Sequence, residues 1–120
     1  MALTVTTTVT EKGITLVTYD NLDTADTGPT AIEMGAKLRQ DSAQTTHGFI
    51  QAIGTFGSGT VKLQGSNDNS NWADLKDFYG TAIGLTAAGG AEFMASCRYI
   101  RPLITGGTGD DVDVFITLQQ

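Results

Sequence analysis

The stretch Gly65–Leu75, GSNDNSNWADL, concentrates small amide, acid and hydroxyl side chains just ahead of Trp72, the one tryptophan of the chain. Three chemistries suit it: a cradle for a hard cation, a sugar-binding turn, or a turn whose side chains bond their own backbone. Spacing excludes the first. If Asn67, Asn69 and Asn71 are taken as alternate ligands, Trp72 falls where a calcium loop needs glycine and Phe78 where it needs glutamate. Asn, Asp and Ser readily accept hydrogen bonds from amides two or three residues further on, so a self-bonded turn is the simpler reading. Trp72 is then expected to act as a structural plug at the end of the fold, with Leu75 beside it.

The other candidates for chemistry are sparse. His47 is the only histidine, and no second histidine or paired cysteine accompanies it as a metal ligand. Asp110, Asp111 and Asp113 follow a glycine-rich turn, where carboxylates cap backbone amides. Ser58, Ser66 and Ser70 have no neighbouring base, and one histidine in the whole chain leaves little for a nucleophile pair. The expectation is no enzyme: no catalytic residue, no metal site and no cofactor. Arg101 and Phe115 carry more information. Arg101 falls on the strand face opposite Ile100 and Ile104, where a planar donor can meet a carboxylate in the same chain or in a neighbour. Phe115 points away from the apolar face of its strand, so a second buried surface is expected there.

The chain that must position these residues has 120 residues, enough for one domain that buries ~65% of its unfolded surface. With 40% hydrophobic and 17% charged residues it has the balance of a folded globular protein. Its net charge of −6 opposes binding to phosphate backbones, so nucleic acid is not an expected partner. No apolar run reaches the ~18 residues of a membrane span, and the N-terminal residues lack a basic region followed by an apolar one, so neither membrane insertion nor standard export is expected. Cys97 is alone and cannot form an intrachain disulfide, which suits assembly in a cytoplasm.

Apolar residues alternate with polar ones and hardly recur at helical spacing, so strands are expected throughout. In LTVTTTVT, Leu3, Val5 and Val9 share one face and threonines the other. Residues 1–12 thus form a half-buried strand or an extended N-terminal arm, ahead of a β-sandwich over residues 13–120. Ile14 and Leu16 form the main apolar face of the next strand, and Val17 and Tyr19 make its second face partly apolar. Asp20–Thr30 is a loop, and Ala31–Gln40 a strand interrupted at Gly35. THGFIQAIGTF is apolar on both faces. Val61 and Leu63 point inward in the strand after it, as do Val112, Val114, Ile116 and Leu118 in the last. Three glycine-rich segments, at 54–59, 87–90 and 106–110, are expected to be hairpin turns. The fold class is all-β: a single antiparallel β-sandwich or jelly roll of about eight short strands.

GTVKLQGSNDNSNWADL, followed by ASCRYIRPLITGGTGDDVDVFITLQQ, resembles the small β-sandwich proteins of tailed-phage particles, and within that group most resembles capsid decoration, or cement, proteins. The resemblance implies a virion protein made in the host cytoplasm, bound to the major capsid protein on the capsid exterior as a homotrimer and stabilising the shell. Leu3, Val5, Val9, Val17, Arg101 and Phe115 are then the expected oligomer or capsid contacts. Tail and neck proteins of the virion carry similar sandwiches. The same turn is also similar to that of discoidin-like carbohydrate-binding jelly rolls, which makes a glycan the alternative partner. The chain departs from that group at Asn69, where the turn usually has glycine, and in having no second tryptophan to stack on a sugar.

Overall fold

Among the described residues, alternation of period two builds ten strands, two antiparallel sheets and one shared core. A computed structural model describes residues 2–11, 14–34 and 46–119. The strands are β1 (Thr4–Glu11), β2 (Ile14–Leu22), β3 (Ile32–Glu33), β4 (Thr46–Thr55), β5 (Thr60–Ser66), β6 (Ala73–Asp74), β7 (Gly84–Leu85), β8 (Gly89–Ala95), β9 (Tyr99–Thr105) and β10 (Asp111–Gln119). One sheet has the order β1-β2-β10-β4-β8. The other has the order β3-β9-β5-β6, and β7 shares the β6 edge of β5. The expected all-β sandwich is the observed architecture, and its strand order is that of a jelly roll with β1 added outside β2.

The core lies between the sheets. Val112, Val114, Ile116 and Leu118 of β10, Ile50 and Ala52 of β4, and Val17 and Tyr19 of β2 face Val61 and Leu63 of β5 and Ile100 and Ile104 of β9. Phe93 of β8 is fully buried, with its ring over Gly48 on the neighbouring strand. Burial of the Tyr19 and Phe93 rings together with these aliphatic side chains supplies the main stabilisation of such a fold.

Two expectations are corrected. The glycine-rich segments at 54–59, 87–90 and 106–110 are not hairpins, because the strands they join lie in different sheets: β4 to β5, β7 to β8 and β9 to β10. The reason lies in the inner faces. Ala52 and Val61, like Ile104 and Val112, all reach the same core, which strands on either side of these turns can do from opposite sheets. The face of β2 is also the reverse of that expected. Thr15, Val17 and Tyr19 are buried, whereas Ile14 and Leu16 lie on the outer side, because β2 follows the register of β10 with Val17 opposite Ile116. In the strand expected over Ala31–Gln40, the described residues Ile32 and Glu33 pair with β9. Residues 35–40 lie outside the described residues.

The N-terminal segment expected as a strand or an arm pairs with its own chain. From Thr4 to Val9 it runs in unbroken antiparallel register with β2, Val5 opposite Tyr19 and Thr7 opposite Val17, with a register shift before Glu11. Leu3 and Val5 pack against the core. Met1, Lys12 and Gly13 lie outside the described residues.

Candidate interaction surfaces

The outer face of the five-stranded sheet gathers apolar side chains from four strands. Phe115 of β10 lies opposite Thr18 on β2 and Gln51 on β4, so Leu16, Phe49 and Ile53 occupy its diagonal positions. Diagonal neighbours in a sheet are ~7–8 Å apart, within reach of an aromatic ring. Met94 of β8 extends the stripe from Phe49, which itself lies opposite Glu92. Phe49 remains 42% exposed, Ile53 41% and Met94 48%, although the Phe49 ring leans over Gly90. Around the stripe run Thr6, Thr8, Thr18 and Thr117, which keep it in a hydroxyl-rich border.

Of the residues expected at this interface, Phe115 is on the outer face and partly exposed. Val17 is not available to any partner: it is 1% exposed, within the core, since the register of β2 turns it inward. Leu3 and Val5 sit at the β1 edge, half-buried against their own core. Val9 is placed by its backbone opposite Thr15, and its side chain lies outside the described residues. Phe49, Ile53 and Met94 were not singled out by the sequence reading. The signal for Phe49 and Ile53 is the β4 segment that reads as apolar on both faces, and Met94 joins them from β8.

Arg101 lies across the fold, on the outer face of the other sheet. Its guanidinium is 4.1 Å from the centroid of the Trp72 ring, and its Nε donates to Gln64 Oε1 at 3.1 Å. Gln64 is oriented in turn, since its Nε2 donates to Asp74 Oδ1 at 3.3 Å and Asp74 pairs with Lys62 at 3.5 Å. Partial burial lowers the Arg101 pKa from its ordinary value, and the group remains a cation.

Trp72 therefore does not plug the sandwich end. It is half-exposed, outside the core, and one face of its ring is taken by Arg101. The end is closed by Leu75 and Cys97 instead. They approach Gly65 so closely that a Cβ there would lie 2.8 Å from Cys97 Sγ and 3.0 Å from a Leu75 methyl. Burial pushes the Cys97 thiol pKa up, which keeps it protonated.

The loop between Ser66 and Trp72 is bonded to itself. The Ser66 hydroxyl oxygen accepts from the amides of Asp68 and Asn69, and Asp68 Oδ1 accepts from those of Ser70 at 2.9 Å and Asn71 at 2.8 Å. The Asn71 backbone bond, followed by its side-chain amide, holds the Asp68 carboxyl well below the usual carboxylate range. Asn69 adopts φ 59°, so it fills the left-handed position that glycine usually takes in such turns. Among the described residues no three His, Cys, Asp or Glu side chains group as metal ligands.

At the opposite end of the sandwich, Asp110 is 5% exposed and ties three loops. Its Oδ1 accepts the amides of Gly57 and Gly59, and the Thr24 hydroxyl lies 2.8 Å from its Oδ2 and 2.9 Å from the Gly106 carbonyl. Gly107 completes the junction in a left-handed conformation, φ 74°, against the Gly59 amide. His47, on the outer face of β4, meets the Phe78 ring edge-on at 6.5 Å and has no ligand-like neighbour among the described residues.

No family model, no curated protein and no solved structure matches this chain.

Proposed function

We propose that this chain is a non-enzymatic structural protein of a phage virion, a cement protein that binds the outside of the capsid as a trimer and stabilises the shell. The observation that carries this reading is the outer face of the five-stranded sheet. Leu16, Phe115, Phe49, Ile53 and Met94 form a shallow apolar stripe across four strands, suited to another protein surface and too open for a small substrate. The resemblance of the Gly59–Leu75 and Ala95–Gln120 segments to phage decoration proteins supports the same role. A subunit that binds the closed lattice more tightly than free capsid protein stabilises the shell by mass action. The net charge of −6 favours solubility of the free subunits before assembly.

The test uses the pair Phe49→Ser and Phe115→Ser, whose side chains point away from the core. The unaltered chain is expected to scatter light as about three times its 12.6 kDa mass and to raise the temperature at which phage shells release their contents. The double variant is expected to keep the same circular dichroism spectrum, fall to a monomer and lose the protection. An unaltered chain that is monomeric and binds no shell overturns the proposal.

A further inference from the structure

We propose that Arg101 is the anchor of a carboxylate-binding cleft that takes an aspartate or glutamate side chain of a protein partner. The cleft has a volume of about 380 Å³ and lies where β3 and β9 meet the Asn69–Trp72 turn. One wall is the segment Gly28–Ala31, pinned because the buried Tyr19 hydroxyl donates to the Thr30 carbonyl and Pro29 is buried. Arg101, Trp72 and Tyr99 also line it.

The guanidinium is held in advance of any ligand. It rests over the Trp72 ring, 4.1 Å from its centroid, and its Nε is committed to Gln64, whose own amide is held by Asp74. Among the described residues its terminal nitrogens have no hydrogen-bond partner and no paired carboxylate. A planar fork whose orientation is already fixed loses little entropy on meeting a carboxylate, and its two terminal N–H groups match the two oxygens. Glu33 lies on the rim, opposite Tyr99 in the β3–β9 register. Its charge repels a second negative charge, so a carboxylate is favoured over a phosphate dianion. With one face of Trp72 covered by Arg101, that face is not a platform for a sugar ring, which favours a peptide side chain over an acidic sugar.

The proposal does not depend on the virion reading, because free small molecules test it. The Arg101 Nε–H and Trp72 indole N–H signals are followed by nuclear magnetic resonance while N-acetylglutamate N-methylamide is added to the full chain. The glutamine analogue, methyl glucuronide and methyl phosphate serve as the other arms. The glutamate probe is expected to shift both signals saturably, with a dissociation constant of about a millimolar, and the glutamine analogue to shift neither. Arg101→Lys, which keeps the charge and loses the fork, is expected to weaken binding about tenfold with the rest of the spectrum unchanged. Gln64→Leu, which keeps the guanidinium but releases its Nε, is expected to weaken binding by a smaller factor. Absence of a saturable shift in the unaltered chain, equal response to the glutamine analogue, or tighter binding of the glucuronide or the phosphate overturns the assignment. If Arg101→Lys does not fold, the Gln64→Leu variant and the four probes decide it.

Discussion

Asp110 accepts the backbone N–H of Gly59 at 3.2 Å, joining positions 51 residues apart at the end of the sandwich. The same carboxylate takes the Gly57 amide and the Thr24 hydroxyl, so one buried charge locks the β4–β5 and β9–β10 crossings to the loop after β2. These are connections between sheets. Without an anchor, glycine-rich segments would leave the two sheets free to shift at this end.

Stability is therefore expected to depend on the charge of Asp110. The Thr24 hydroxyl, with the Gly57 and Gly59 amides, holds its carboxyl below the usual range against the opposing effect of burial. A folded-state pKa below the unfolded value, about 3.9, means that the contribution is fully present above that value. It is lost as the pH falls through the lower, folded-state pKa. Asp68 is shifted in the same direction and adds to the same acid sensitivity. Asp110→Asn is expected to melt at a lower temperature at neutral pH, because the bonds from the Gly57 and Gly59 amides and the Thr24 hydroxyl then lose their charged acceptor. Its curve of melting temperature against pH is expected to converge on that of the unaltered chain in acid. Parallel curves would remove Asp110 from this role.

Trp72 and Phe93 make a paired prediction. Phe93 is fully buried over Gly48, and Phe93→Ala is expected to cost about 3–5 kcal/mol in chemical denaturation. Trp72 is half-exposed and packs on Arg101 outside the core, so Trp72→Ala is expected to cost only about 1 kcal/mol. A Trp72→Ala loss as large as that of Phe93→Ala would restore the plug.

The difference between these two aromatics shows where sequence patterning stops. Strand faces with a strict alternation were legible. Val112, Val114, Ile116 and Leu118 face the core, and Arg101 and Phe115 lie on outer faces, because period two leaves no other arrangement of an apolar row. Where both faces are apolar, alternation cannot choose. Sequence pattern places Val17 on a surface and Leu16 in the core, and only pairing with β10 reverses them. Turn composition showed where strands end but not which sheet follows, so three sheet crossings resembled hairpins. The Arg101 cleft depends on Arg101 meeting Gln64, Trp72 and the Gly28–Ala31 segment, which lie far from it in sequence and are brought to it by the strand order β3-β9-β5.

The last prediction concerns β1. An N-terminal arm that reached only toward a neighbour would be dispensable for folding, and removing it would affect assembly alone. The observed strand is built into its own sheet: it pairs with β2 from Thr4 onward, and Leu3 and Val5 lean on the core beside Val17 and Tyr19. Deleting residues 2–11 is therefore expected to remove main-chain bonds and aliphatic burial together, at a cost of at least about 2 kcal/mol. It would also leave β2 as a free edge nine residues long, open to edge-to-edge association. The midpoint of urea unfolding is expected to fall, and the truncated chain to aggregate at concentrations where the full chain stays clear. Val5→Ser, which keeps the ladder and removes one half-buried side chain, is expected to lower the midpoint by a smaller amount without promoting aggregation. If the deletion leaves the midpoint unchanged and alters only the oligomeric state, β1 serves the assembly, and its pairing with β2 contributes nothing to the fold.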